Sequence, residues 1–175
     1  MARNLIGCLL VHGPVTGIIV ETEAYTGSDD PGSHACRGPR RRNLPMFGPP
    51  GRAYVYKCHM YPLLNVVTEP AGRPGAVLLR ALEPVAGLPF MRRRSPGLAN
   101  ADLCRGPGRL ARSMGVRLGH NNTDLCRGLL YLARPSGPGK RSIRITTRVG
   151  LHGPAARLKR RFYDPASPCV SQHAG

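Results

Sequence analysis

The sequence predicts a single α+β domain over residues 1–175, a curved, mostly antiparallel β-sheet flanked by a few helices and long loops. Three observations predict it. Short apolar or alternating runs recur along the chain, separated by turn residues, as paired strands are. The 22 glycines and 18 prolines are scattered rather than gathered in one tail, so they punctuate many short elements. Only two stretches carry helical start and stop signals. A length of 175 residues suits one domain with a real core, and 41% apolar residues fit a globular fold. No internal repeat or composition boundary divides the chain.

Taken in order, residues 4–11 (NLIGCLLV) and 16–25 (TGIIVETEAY) read as two strands joined by a turn around HGPVTG. Residues 26–52 carry Gly, Pro, Ser or Asp almost everywhere and read as one long loop, a length that usually signals function. Residues 53–58 (AYVYKC) and 63–68 (LLNVVT) are strands separated by HMYP, and 76–82 (AVLLRAL) is a buried strand with Arg80 as its odd member. Residues 85–94 read as helical, ending in Arg92, Arg93 and Arg94. GPGRLARSMG (106–115) is a turn leading into a helix and a Gly stop. Residues 129–133 and 142–150 are the late strands.

The net charge is +17, with 26 Lys and Arg against 9 Asp and Glu. Such an excess points to a polyanionic partner, nucleic acid first. An anionic membrane is the weaker candidate, because no cationic helix shows a clean apolar face and no apolar run reaches spanning length. Six cysteines lie at 8, 36, 58, 104, 126 and 169, none in C-x-x-C spacing, which argues against a Cys-rich zinc site. The opening MARNLIGCLLVHG does not read as a secretory signal. Free thiols in a reducing cytoplasm are therefore expected.

Two of the nine acids stand at the end of an otherwise apolar strand, in IIVETEAY. Side chains two apart share a strand face, so Glu21, Glu23 and Tyr25 point together. The long loop then offers His34, and Tyr54 and Tyr56 return on a shared face of the next strand. These aromatics would form a slot in which planar bases stack, worth roughly 1–3 kcal/mol per base. A slot, a carboxylate and a basic surface suggest chemistry on a base or its sugar bond, with the nucleotide extruded from the duplex. The glutamate would take a proton from attacking water, or stabilise an oxocarbenium-like sugar. Arg80 would hold that carboxylate and orient the water, or else form a structural ion pair with Glu21 or Glu83. Two other readings stay open: a noncatalytic basic nucleic-acid-binding protein, and a Mg²⁺ nuclease using Glu21, Glu23, Asp29 and Asp30.

The stretches ARNLIGCLLV, IVETEAY, MFGPPGRAYVY, NVV, VLLRALEP, GPGRL, RVG and RFYDPASPCVS run over nearly the whole chain. In that order they resemble the 3-methyladenine (alkyladenine) DNA glycosylases of the non-helix-hairpin-helix type. The resemblance implies hydrolysis of the N-glycosidic bond of alkylated or deaminated purines, with no metal and no lyase step. Double-stranded DNA is the expected partner of a monomer that needs no cofactor. The resemblance places Glu23 on the water-activating general base and Arg80 on the arginine that helps place that water. Tyr25, His34 and Tyr56 fall on the residues that sandwich the flipped base, Asn65 on the one that rejects guanine's amine, and Val149 and Gly150 on main chain that meets base and DNA. Glu21 is left a supporting role.

The stretch YKCHMYPLLN departs from the family pattern. It is one residue short between Tyr56 and Asn65, so His59 or Met60 lands where the family inserts a tyrosine into the duplex, and a smaller wedge is expected. The sequence also begins at the family's first hairpin. Arg40, Arg41 and Arg42, in the loop before the slot, are the candidate phosphate contacts. Arg92, Arg93 and Arg94, and Lys159, Arg160 and Arg161, are further ones.

Overall fold

The computed structural model describes residues 1–135 and 141–172. Among the described residues eight strands form one antiparallel, curled sheet: β1 (Leu9–His12), β2 (Val15–Tyr25), β3 (Ala53–Cys58), β4 (Tyr61–Val67), β5 (Ala76–Ala86), β6 (Leu130–Ala133), β7 (Arg144–Thr146) and β8 (Arg161–Tyr163). The order is β3-β4-β5-β2-β1-β6. β5 pairs with β2 between Thr16 and Tyr25, and the other edge of β2 is shared: β1 covers Val15 to Ile18, and β8 covers Glu21 to Glu23. β7 adds outside β8. The acidic end of the central strand, Glu21 to Glu23, is thus held by β5 on one side and β8 on the other.

Among the described residues the α-helices are short: α1 (Ala2–Leu5), α2 (Leu88–Arg94) and α3 (Pro107–Met114). α3 buries Leu110, Ala111 and Met114, one stripe of its surface, and stops at Gly115, whose φ of 74° suits a residue without Cβ. With Met91 of α2, that stripe packs on the sheet face made by Leu10, Val15, Ile19, Val55, Leu64, Leu79 and Leu82. The opposite face is covered by the long loop and the C-terminal segment. There Ala35 and Met46 pack on Tyr54, Val67 and Ala76, while Cys169, Val170 and Tyr163 pack on Val20 and Ala81. One face of the sheet supplies the main core, and the other holds the polar residues.

Several expectations are corrected. The strand read at 4–11 begins only at Leu9; the residues before it form α1, and Gly7, at φ 88°, turns the chain into β1. Ala2 and Leu5 gain burial there, and the Thr22 hydroxyl donates to the Ala2 carbonyl. The helix read from 85 starts at Leu88, because Pro84 and Ala86 still pair with Gly17 and Thr16. β4 begins two residues early, at Tyr61, so HMYP contributes a loop of only His59 and Met60. The late strand at 142–150 keeps only Arg144–Thr146. Residues 26–52 are loop and turns, with one short 3₁₀ segment at Leu44–Phe47, as the sequence predicts. All six cysteines are free thiols, as expected.

Candidate active site

The β2–β5 ladder slips between Ile19 and Glu21, and Val20 and Arg80 are left without a partner in its register. Ile19 and Leu82 lie in the helix-side core, whereas Val20 and Ala81 pack on the other face. The paired irregularities therefore turn Arg80 and Glu21 toward the same side of the sheet. Bulges recur beside active sites because they re-aim a side chain without ending the strand.

Both glutamates are fully buried. Such carboxylates persist only when their lone pairs are met. Glu21 accepts from Arg80 Nε at 3.1 Å, Arg161 Nε at 2.7 Å, the Ser171 amide at 2.7 Å and the Ser171 hydroxyl at 2.9 Å. Glu23 accepts the Val149 amide at 2.7 Å on Oε1, and on Oε2 the Tyr25 hydroxyl at 2.9 Å and Arg80 Nη1 at 3.4 Å. Arg80 thus pairs with Glu21 and also reaches Glu23.

Tyr25 links Glu23 to a cleft of about 440 Å³, counting its open mouth, lined by Tyr25, Gly32, His34, Met46, Tyr54, Tyr56, Asn65 and Leu151. The His34 ring lies 4.5 Å from that of Tyr56, at 68°, and its Nδ1 shares a 2.8 Å hydrogen bond with the Tyr54 hydroxyl. Burial, then Arg42, holds His34 below its ordinary value, so it is a neutral imidazole at pH 7. Burial, then the Glu23 charge, raises Tyr25 far above the usual phenol range, so it donates to Glu23. Burial, then Cys58, pushes Tyr56 up to about 12. Asn65 donates Nδ2 to the Tyr54 carbonyl at 3.0 Å, which fixes its amide at the cleft wall.

Arg148 backs this wall. It donates to Asp30 through two 2.6 Å bonds, with neither side chain exposed, and lies 4.6 Å from the centre of the Tyr25 ring. Gly32 leaves the room: a Cβ there would lie 2.8 Å from Leu151 Cδ1 and 2.9 Å from Arg148 Nη2. Arg148 in turn carries Val149, whose amide meets Glu23, and Gly150, exposed at φ 74°.

The structure therefore gathers Glu23, Arg80, Tyr25, His34, Tyr56, Asn65 and Val149 in one place. His59 and Met60 stand apart, at the tip of the β3–β4 hairpin. His59 has φ 51°, as the first residue of a primed two-residue turn requires, and Met60 is 78% exposed. Arg40, Arg41 and Arg42 are exposed, and Arg40 and Arg42 line a groove that also includes His34 and Arg37. The other basic runs are partly corrected. Arg161 is buried on Glu21, Arg94 donates to the Ser113 carbonyl, and Arg160 pairs with Asp29 and Asp30, so these serve structure. In the acidic set considered for Mg²⁺, Asp30 is paired with Arg148 and Asp29 with Arg160. Among the described residues no three His, Cys, Asp or Glu side chains gather as metal ligands would.

Sequence reasoning missed Met46, Leu151, Gly32, Ser171 and the Arg148–Asp30 pair. Tyr54 was visible through its alternation with Tyr56. The others come from loops whose path no periodicity encodes.

A highly basic chain whose sheet presents an aromatic cleft next to a clamped, buried carboxylate fits the class of DNA glycosylases. The family model described as Methylpurine-DNA glycosylase (MPG) matches residues 1–168. The chain belongs to that family. It is 51% identical over 153 residues to a protein of Rubrobacter xylanophilus, covering 85% of this chain and 79% of the relative. It is 43% identical over 179 residues to one of Methanoculleus marisnigri (98% and 92%) and 40% over 183 residues to one of Chlorobium phaeobacteroides (100% and 91%). All three relatives are named, provisionally, as 3-methyladenine DNA glycosylases.

Proposed function

We propose that this protein removes alkylated or deaminated purines from double-stranded DNA by hydrolysing the N-glycosidic bond and leaving an abasic site. The observation that carries the reading is Glu23: a fully buried carboxylate held by Val149, Tyr25 and Arg80 at the edge of an aromatic cleft.

The basic face, with Arg40, Arg41 and Arg42, meets the phosphates. The damaged nucleotide leaves the stack, and the exposed hairpin tip at His59 and Met60 fills the gap. Tyr25 on one side and His34 and Tyr56 on the other hold the base, Asn65 reads its edge, and the main chain at Val149 and Gly150 borders it. A water attacks C1′ while Glu23 takes its proton; the C1′–N bond breaks and its electron pair leaves with the base. Arg80 keeps the Glu23 carboxylate and the water in register. No covalent enzyme intermediate and no strand cleavage follow, and no cofactor is called for. The protein works as a monomer in the cytoplasm.

The test is single-turnover release of an alkylated purine or hypoxanthine from a duplex oligonucleotide in EDTA, with wild type and Glu23→Gln. Release by wild type, a loss of roughly a hundredfold or more in Glu23→Gln, and strand breaks only after alkali are expected. Equal release by both would remove Glu23 from its role. DNA binding without release of any base would leave a noncatalytic binding protein.

A further inference from the structure

Arg80 is divided between two carboxylates. Its Nε meets Glu21 at 3.1 Å, its Nη1 meets Glu23 at 3.4 Å, and its Nη2 meets the Ser171 hydroxyl at 3.3 Å. The same hydroxyl donates to Glu21 Oε1 at 2.9 Å, and the Ser171 amide donates to Glu21 Oε2 at 2.7 Å. A guanidinium beside a buried carboxylate favours a two-pronged pairing with that one group. Here Glu21 offers only one oxygen to Arg80; the other is taken by the Ser171 amide. The hydroxyl occupies the second prong, and Arg80 is left turned so that Nη1 faces Glu23.

The segment that brings Ser171 is anchored. Cys169 and Val170 are buried against Val20, Ala81 and Tyr163, where the β2–β5 ladder slips. Arg105 Nε donates to the Val170 carbonyl at 3.0 Å, one residue before Ser171. Arg161 reinforces the same point from β8 with its 2.7 Å bond to Glu21.

We propose that Ser171, with Glu21, is a positioning residue for the hydrolytic step: its hydroxyl sets the orientation of Arg80 and so the hold of Arg80 on Glu23. This inference rests on the hydrolytic reading above. Ser171 touches neither the cleft nor Glu23, so its effect is transmitted entirely through Arg80.

The experiment compares wild type, Ser171→Ala and Ser171→Thr. Single-turnover excision is measured at saturating enzyme, Kd on a duplex carrying an abasic analogue, and the Arg80 Nε–H resonance in ¹⁵N-arginine-labelled protein. Ser171→Ala is expected to lose roughly ten- to a hundredfold in rate, as misplaced catalytic groups do, with Kd unchanged. Its Arg80 resonance should shift, and Ser171→Thr, which keeps the hydroxyl, should restore both. An unmoved resonance overturns the inference, as does an active wild type matched in rate by Ser171→Ala. Parallel losses of rate, affinity and stability without rescue by Thr also overturn it, since they mark a merely structural serine. Absence of release by wild type overturns the hydrolytic reading itself, a different result from an active wild type equalled by its Ala variant.

Discussion

Arg148 and Asp30, 118 residues apart, are joined by two 2.6 Å hydrogen bonds with no side-chain surface of either exposed. The pair fastens the segment before Val149 to the long loop that carries His34. Burial, the largest single influence, would raise the Asp30 carboxyl, but the Arg148 bonds and charge together with the Thr26 and Gly32 amides outweigh it and hold Asp30 below its ordinary value. The same guanidinium donates to the Ala24 carbonyl at 2.9 Å and backs Tyr25, so one cation ties together three walls of the site.

Breaking the pair from one side leaves a buried charge alone. Asp30→Asn is therefore expected to cost about 3–5 kcal/mol, because the Arg148 guanidinium keeps its charge without a counterion. The double change Asp30→Leu with Arg148→Met removes both charges and should cost less than the single one. Urea denaturation of the three proteins checks this. A single variant as stable as wild type would show that solvent reaches Arg148.

Much of the site was legible because a strand's period is two. Glu21, Glu23 and Tyr25 share a face, as do Tyr54 and Tyr56, and the structure keeps both sets. The slip that aims Arg80 was not legible, since a bulged residue and a regular one look alike inside AVLLRAL. Arg161 reads as part of the surface run KRR, yet it is buried because Glu21, 140 residues earlier in the chain, is its partner. Pairings of that kind depend on where loops and late strands return, and local pattern carries no record of it. The same reason explains α1: Gly7 ends the apolar strand reading, and Ala2 and Leu5 find a better burial in a helical turn.

Salt dependence tests the basic surface. Each phosphate neutralised on B-DNA contributes about 0.9 to the slope of log K against log salt, so a chain of net charge +17 should bind duplex DNA with a steep slope. Replacing the exposed Arg40, Arg41 and Arg42 with Gln should reduce that slope by up to about 3 if all three meet phosphate. Affinity at low salt should fall similarly for damaged and undamaged duplexes, because phosphate contacts carry no base information. Fluorescence anisotropy across a salt series measures it. An unchanged slope would place the DNA path elsewhere on the surface.

Stability should also depend on pH through the cleft histidine. Burial, then Arg42, holds the folded His34 below its ordinary value of 6.5, and burial, then His12, does the same to His120. Near pH 8 both are neutral whether the chain is folded or not, and they contribute no slope. As pH falls through about 6.5 the unfolded chain takes up protons that the folded chain refuses, so it is favoured and stability drops. The loss should level off once the pH passes below the folded values, before the carboxylates, Asp30 among them, give a second loss at lower pH. Denaturant midpoints measured from pH 8 to pH 5 should therefore decline, and in His34→Gln the decline should be shallower, leaving the part owed to His120. A midpoint that stays flat in the wild type would mean that His34 protonates as readily in the folded cleft as in water, and the neutral imidazole assigned to the cleft would fall.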